Sequence, residues 1–189
     1  FGILLTTLVL AFTLGSSGNE GRSFIVDLKQ AEADNILSAL SGGVIFNLAN
    51  ILLVAAIAIA GMSVAFPVGI GIALVLGVIV NYISNPQGNP VLIFGGVALI
   101  ALAIILNARA YQKLQKNSEG KVSMKGLVLS VVSGCLMGLF YKYVAVSMVS
   151  NFNLPEAGKL TPYTALVFFA LGIVASSLLF NSIQMKRPF

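Results

Sequence analysis

Residues 36–83 read ILSALSGGVIFNLANILLVAAIAIAGMSVAFPVGIGIALVLGVIVNYI, two apolar runs without a charged side chain. Only the tetrapeptide AGMS at residues 60–63 separates the two runs. A bilayer core about 30 Å thick needs about 20 apolar residues in a helix, so each run is long enough to cross it. Glycine tolerates the positive φ angle that a sharp reversal requires. The stretch therefore predicts an antiparallel pair of transmembrane helices that turns at Gly61–Ser63.

The composition of the whole chain agrees with this prediction. Of the 189 residues, 58% are hydrophobic and 9% are charged, whereas roughly a quarter of the residues in soluble domains are charged. A water-soluble domain is therefore excluded, and an all-α, polytopic transmembrane bundle in a lipid bilayer is predicted. Its six predicted helices coincide with six apolar runs, Phe1–Leu14, Ile36–Met62, Ser63–Ser84, Val91–Gln112, Gly126–Ser150 and Thr164–Met185.

The first run is the shortest of the six. Phe1–Leu14 is too short to span a bilayer, and no charged residue precedes Glu20. The alternative is a cleaved signal peptide, which requires a charged start and a small-residue cleavage site. We expect the run to be the end of a transmembrane helix that begins in preceding chain. Residues 16–35 after it carry mixed charges and predict a loop with a short surface helix.

Basic residues indicate the orientation in the membrane, because short basic loops stay cytoplasmic. The loop after the fourth run and the C-terminal end hold most of them, namely Arg109, Lys113, Lys116, Lys121, Lys125, Lys186 and Arg187. The connections on the opposite side hold only Arg22, Lys29 and Lys159. Loop 113–125 and the C-terminal end are therefore predicted to be cytoplasmic.

Residue types that support catalysis or metal binding are scarce. The chain has no histidine, and its single cysteine, Cys135, lies in an apolar run. All six acidic residues, Glu20, Asp27, Glu32, Asp34, Glu119 and Glu156, lie in connecting segments. An enzyme, a metal site and a bound cofactor are therefore not expected. The net charge of +5 lies in loops, so a nucleic-acid partner is not expected either.

Two of the runs carry small residues at four-residue spacing. Helices in lipid associate through close packing, for which small side chains are used. The rows are Gly69, Ala73 and Gly77 in the third run and Ser130, Gly134 and Gly138 in the fifth. These rows predict close contact between helices of the same chain, and the alternative is a homodimer face.

Polar side chains inside a run mark protein contacts or a solute site, because exposing them to lipid is costly. Gly43, Asn47 and Asn50 share one face of the second run. An amide both donates and accepts hydrogen bonds, which suits an uncharged polar solute. The alternative is that the two amides join neighbouring helices. A weaker polar face, Ser177, Asn181 and Gln184 in the sixth run, predicts a vestibule or simple interfacial polarity.

Lys142 is the charged residue placed deepest in the fifth run, within FYKY at residues 140–143. It continues the row of small residues by one more step of four. We expect its side chain to face the bundle interior and to belong, with Tyr141, to the solute site. The alternative is that the lysine stem reaches the headgroups.

The quoted stretch resembles the third and fourth helices of the ureide permease family in the drug/metabolite transporter superfamily. The similar features are Gly42-Gly43, Asn50, the tight GMS turn and Asn81-Tyr82. The resemblance continues through FGGVALIALAIILNA at 94–108, KGLVLSVVSGCLMGLF at 125–140 and LTPYTALVFFALGIVASSLLFN at 160–181.

The resemblance implies ten helices in two inverted five-helix repeats. Residues 1–112 would then be part of the first repeat without its first helix, residues 113–125 the cytoplasmic connector, and residues 126–189 the start of the second repeat. It also implies a permease, acting as a proton symporter, for a nucleobase- or ureide-type nitrogen heterocycle or a sugar. The short connector favours a bacterial-type member in the inner (plasma) membrane. The alternative function is a structural or assembly subunit of a membrane complex.

Overall fold

The computed structural model describes residues 1–17, 21–115 and 123–186, without the side chains of residues 108, 111–115 and 183–186. In these ranges the regular structure is helical, apart from one isolated backbone pairing of Met148 with Leu160. The seven helices are α1 (Gly2–Phe12), α2 (Phe24–Gln30), α3 (Ala33–Ala60), α4 (Met62–Ser84), α5 (Pro90–Gln115), α6 (Met124–Ser147) and α7 (Pro162–Lys186).

Five of the described helices are long and apolar enough to cross a membrane, namely α3, α4, Pro90–Asn107 of α5, α6 and Pro162–Ser182 of α7. The predicted all-α class is therefore confirmed. Helix α1 has 11 residues, fewer than a bilayer requires. The six-helix count and the ten-helix repeat stay predictions.

The helix ends differ by a few residues from the predicted ones. Helices α5 and α7 begin at Pro90 and Pro162, because a proline in the first turn lacks only an N–H that would be unpaired anyway. Helix α6 ends at Ser147 and not at Ser150. Apolar runs predict where a helix crosses lipid, whereas capping residues decide where it begins and ends.

The predicted turn between the second and third runs is present. Gly61 separates α3 from α4 with a φ of 82°, a conformation that favours glycine. A Cβ atom built on Gly69 would lie 2.8 Å from Cδ1 of Leu53. Gly69 and Leu53 are equally far from Gly61 along the sequence, so the two helices run antiparallel. The hairpin prediction is confirmed.

The chain divides into two compact units. Among the described residues, one unit contains residues 1–47 and 142–186, and the other contains residues 48–141. This division follows contacts in space, so the repeat boundaries at 112 and 126 stay a prediction. Most of the predicted connector, 113–125, lies outside the residues whose side chains are described.

In the unit of residues 48–141, α4 packs against α6 through the two rows of small residues. A Cβ on Gly134 would lie 2.5 Å from the carbonyl oxygen of Gly69, and one on Gly138 would lie 3.2 Å from that of Ala73. Neither position has room for a side chain. Gly71 faces α5, where Ile104 occupies the space that a Cβ would need. The rows therefore make a contact within one chain.

In the other unit, α1 and α2 pack against α7. Ala11, Phe24 and Val167 form one buried apolar cluster of this unit. Helix α3 approaches α7 at two glycines. A Cβ on Gly43 would collide with the carbonyl oxygen of Phe169, and one on Gly172 would collide with that of Leu40. The first half of α3 and α7 therefore touch backbone to backbone.

Candidate functional site

A buried amide lies where α3 meets α7. Asn47 is 9% exposed, and its Nδ2 donates to Ser176 Oγ at 2.9 Å. Ser176 in turn donates to the carbonyl oxygen of Gly172 at 2.7 Å. The prediction that Asn47 faces protein and not lipid is confirmed. Of the two interpretations of this amide, the structure shows the contact that joins two helices.

The other predicted residues of α3 have different surroundings. Gly43, one turn before Asn47, lies against the backbone of α7 and permits the close approach. Asn50 is half-buried and belongs to the unit of residues 48–141. The contact between α3 and α7 therefore explains why a glycine is at position 43 and a polar amide at position 47.

A cavity of about 300 Å³ lies along the second half of α7. It is lined by Phe1, Ile173, Val174, Ser177, Leu178, Asn181 and Ser182. None of these side chains carries a charge. The Ser182 hydroxyl donates to the carbonyl oxygen of Leu178 at 2.6 Å. The side chains of Ser177 and Asn181 make no hydrogen bond to the part of the chain that the structure describes.

This arrangement can hold a small, uncharged, hydrogen-bonding molecule. Sites for small molecules are mostly apolar concave surfaces of about 300 Å³ or more, with a few polar groups that fix orientation. The hydroxyl of Ser177 and the amide of Asn181 can both donate and accept. The polar face predicted for the sixth run thus includes two cavity residues. Its third member, Gln184, has a side chain outside the described residues.

Sequence reasoning did not single out Ser176. This hydroxyl points at α3, whereas the neighbouring Ser177 lines the cavity. A serine also bonds readily to a carbonyl of its own helix, as Ser176 does, so its presence in an apolar run carries little signal. Only the position of Asn47 on the other helix shows that Ser176 accepts a bond.

Lys142 and Tyr141 are exposed, Tyr141 to 45%. Lys142 lies five residues before the end of α6 at Ser147, which corresponds to about 7.5 Å of helix rise. Its ammonium group makes no hydrogen bond or ion pair within the described ranges. Lys142 thus lies nearer to the end of its helix than predicted, and this position favours the interpretation that its stem reaches the headgroups.

Asp27 corrects the prediction for residues 16–35. The predicted surface helix is present as α2, but the Asp27 side chain is fully buried. Its Oδ1 accepts from Arg22 Nε at 2.9 Å. Its Oδ2 accepts from the backbone N–H of Thr161 at 2.8 Å and from Thr161 Oγ1 at 3.1 Å. A carboxylate can be buried when its charge is paired and its oxygens are hydrogen-bonded, and both conditions are met.

Neighbouring side chains extend this contact. Arg22 donates to the carbonyl oxygens of Glu156 and Lys159, both at 2.8 Å. Gln30 donates to the carbonyl oxygen of Lys159 at 2.9 Å and accepts from the backbone N–H of Gly158 at 2.6 Å. Two segments far apart in sequence are therefore joined by polar bonds.

The start of α3 also takes part. The carbonyl oxygen of Gly158 accepts from Asn35 Nδ2 at 2.9 Å and from the backbone N–H of Glu32 at 3.0 Å. We call the contact between residues 22–35 and residues 155–161 the clamp. The clamp fixes the loop before α7 against the segment that contains α2.

Comparison with known proteins gives relatives of one kind. The chain is 24% identical to ureide permease 3 of Arabidopsis thaliana, over 98% of this chain and 61% of that protein. It is 28% identical to ureide permease 2 of the same plant, over 63% of this chain and 31% of that protein. Probable ureide permease A3 of Vigna unguiculata is 31% identical over 52% of this chain and 27% of its own length.

The chain thus spans between about a quarter and three fifths of the length of these relatives. No solved structure is significantly similar to it. The family model for ureide permease matches residues 1–123, which is more than half of the 189 residues. This match covers α1 to α4 and the whole of α5. The chain is an integral membrane protein and belongs to the ureide permease family.

Proposed function

We propose that the chain belongs to a secondary active transporter for a small uncharged solute. The observation that carries this proposal is membership in a family whose relatives are named ureide permeases, in a chain with five helices of spanning length. A permease moves its solute without chemical change, so the proposal includes no enzymatic activity. The first solute class to test is a ureide- or nucleobase-type nitrogen heterocycle, and the second is a sugar.

The polar groups of α3 and α7 support an uncharged solute. Ser177 and Asn181 line the cavity with a hydroxyl and an amide group, which match the alternating N–H and C=O groups of a cyclic ureide. Asn47, whose Nδ2 donates to Ser176, stays the third proposed solute-binding side chain. A solute with a full charge would find no opposite charge in the cavity lining. Asn50 stays the fourth proposed solute-binding side chain, and Gly43 has the proposed role of bringing α3 close to α7.

Proton coupling is part of the proposal and is supported by the family resemblance. Lys142 is the charged side chain deepest in the five spanning helices. A role of Lys142 and Tyr141 in this coupling is the second interpretation, because Lys142 is exposed near the end of α6 and its stem can reach the headgroups. Replacement of Lys142 is the test that separates the two interpretations.

The test is uptake of radiolabelled allantoin, uracil, ribose and glucose into proteoliposomes that contain the purified protein. We expect saturable uptake of at least one heterocycle, competition by unlabelled heterocycles, and faster uptake with an inward proton gradient. Asn47→Ala should weaken uptake, and Asn153→Ala, in an exposed loop, is its matched control with unchanged uptake. No uptake of any solute on the panel, with protein correctly inserted, would leave the structural or assembly subunit as the better interpretation.

A further inference from the structure

We propose that the clamp is a gate that opens and closes one end of the α1–α7 pair during transport. The proposal rests on the proposed transport function and adds a moving part to it. The clamp contains Arg22, Asp27 and Gln30 on one side and residues 155–161 on the other. When it is closed, the loop before α7 is fixed over the segment that contains α2.

The clamp and the cavity lie at opposite ends of α7. Thr161, which bonds Asp27, directly precedes the helix, whereas the cavity begins at Ile173 and reaches Ser182. At 1.5 Å of rise per residue, Ser177 lies about 24 Å along the helix from Thr161. Hydrogen bonds thus hold the chain at the beginning of α7, and a cavity lies beside its second half. Alternating access requires this asymmetry in each of its end states.

The bonds across the clamp are of a kind that water can replace. They include hydrogen bonds from Arg22, Gln30 and Asn35 to carbonyl oxygens of the facing loop, beside the bonds that Asp27 and Gln30 accept from it. Groups released from such bonds are hydrated, so opening costs much less than the bonds are worth in a dry environment. A permanent seam gains more from apolar side chains, because a buried ion pair is a weak source of stability.

Asp27 links the clamp to the helix that carries the polar groups. Its Oδ2 holds the backbone N–H and the hydroxyl of Thr161, and a negative charge is favourable at the start of a helix. Release of Asp27 removes this support from α7. The same helix carries Ser176, which bonds Asn47, and Ser177 in the cavity. Opening the clamp therefore acts on the helix that holds the proposed solute site.

Gly158 shows how closely the loop presses on the start of α3. Its φ of 79° favours glycine, and a Cβ there would lie 2.6 Å from Cδ of Glu32. One loop thus touches the segments before and after α2 and leads directly into α7. Movement of this loop releases the starts of α3 and α7 together.

The test measures whether a buried position behind the clamp becomes accessible. Thr164 is fully buried and shares a hydrogen bond of 3.1 Å with Thr161. The reporter protein carries Thr164→Cys in a Cys135→Ser background, so that it has one thiol. A membrane-impermeant maleimide is applied from either side of the membrane, and the rate of labelling is measured without solute.

We expect slow labelling in the reporter protein and labelling about tenfold faster with Asp27→Asn, because the lost bonds involve a charged group. The faster labelling should occur from one side only, the side opposite loop 113–125. Asp34→Asn is the matched control, since Asp34 is an exposed carboxylate in the first turn of α3. Its labelling rate should equal that of the reporter.

Gln30→Ala provides a second opening variant that keeps the ion pair between Arg22 and Asp27. If Asp27→Asn elutes as an aggregate in size-exclusion chromatography, the labelling rate of Gln30→Ala tests the gate in its place. Equal labelling rates in the reporter, Gln30→Ala and every monodisperse Asp27→Asn sample would overturn the gate. Fast labelling of the reporter itself would overturn it as well.

Uptake by the same reporter separates this inference from the proposed function. Normal uptake with equal labelling in all variants contradicts the gate and leaves transport standing. A labelling contrast in a protein that transports none of the tested solutes contradicts the proposed function, while the opening of the clamp stands.

Discussion

Two contacts of this molecule differ in the interactions that form them: the contact between α4 and α6, and the clamp. Gly69 and Gly134 bring two backbones together without any side chain between them, whereas the clamp consists of a buried carboxylate, a guanidinium group and backbone amides. The first contact consists of close van der Waals packing between small residues, which is lost as soon as the helices separate. The second exchanges its bonds for bonds to water. From this difference we expect the contact of α4 with α6 to stay rigid and the clamp to be the part that moves.

The largest expected effect on stability is that of Asp27→Ala. Removing one partner of a buried ion pair costs about 3–5 kcal/mol, because the other charge stays buried, and the Arg22 side chain is only 16% exposed. We expect a lower melting temperature in detergent, measured by differential scanning fluorimetry. Asp34→Ala, at an exposed carboxylate, should melt like the unaltered protein. Equal melting of the two variants would show that the clamp does not stabilise the closed state.

Gly134→Ala should have the next largest effect. The new Cβ would lie 2.5 Å from the carbonyl oxygen of Gly69 and 2.9 Å from Cβ of Ile72, so α4 and α6 must move apart. Overpacking of this kind costs about 1–3 kcal/mol. Gly95→Ala in α5 is the matched control, because nothing lies within 4 Å of a Cβ there. A Gly134→Ala protein as stable as Gly95→Ala would contradict the contact.

Asn47→Leu and Asn181→Leu should separate stability from solute binding. Asn47 bonds Ser176, so its loss should cost about 0.5–1.5 kcal/mol. Asn181 makes no hydrogen bond within the described chain, and its replacement should leave the melting temperature unchanged. Both changes should raise the KM for uptake of the transported solute. An unchanged KM in Asn181→Leu would remove the cavity from the proposed site.

Lys142→Met should have the smallest effect of the five replacements. A lysine whose stem reaches the headgroups contributes no bond to the solute, and methionine keeps the length of the side chain without its charge. Uptake rate and its dependence on pH should match those of the unaltered protein. Loss of uptake with intact membrane insertion would restore the interpretation of Lys142 as a site residue.

Local sequence patterns were sufficient for the helices and for their close contacts. The apolar run around Gly61 predicted the hairpin, because length and one glycine decide it. The small residues from Gly69 to Gly77 and from Ser130 to Gly138 predicted helix contacts, and the structure places these rows against each other. Such features depend on residues a few positions apart.

The clamp was not predictable in the same way. Asp27 lies in a segment of mixed charge, for which exposure is the ordinary expectation. Its burial depends on Thr161, which is 134 positions away in the sequence. Lys142 shows the same limit, since its depth depends on where α6 ends, and the run of apolar residues extends three positions beyond Ser147. The burial of Asp27 is therefore decided by a partner distant in sequence, and the position of Lys142 is decided by where its helix ends. Local sequence patterns predict neither.

Solute counterflow tests the central claim, carriage of a small uncharged solute, most directly. Proteoliposomes are loaded with an excess of unlabelled uracil or allantoin and diluted into a trace of the labelled compound, so that no ion gradient is needed. A carrier predicts transient accumulation of label above equilibrium, abolished by an excess of the unlabelled compound outside. Accumulation no greater than in liposomes without protein, for every heterocycle and sugar on the panel, would contradict transport by this chain.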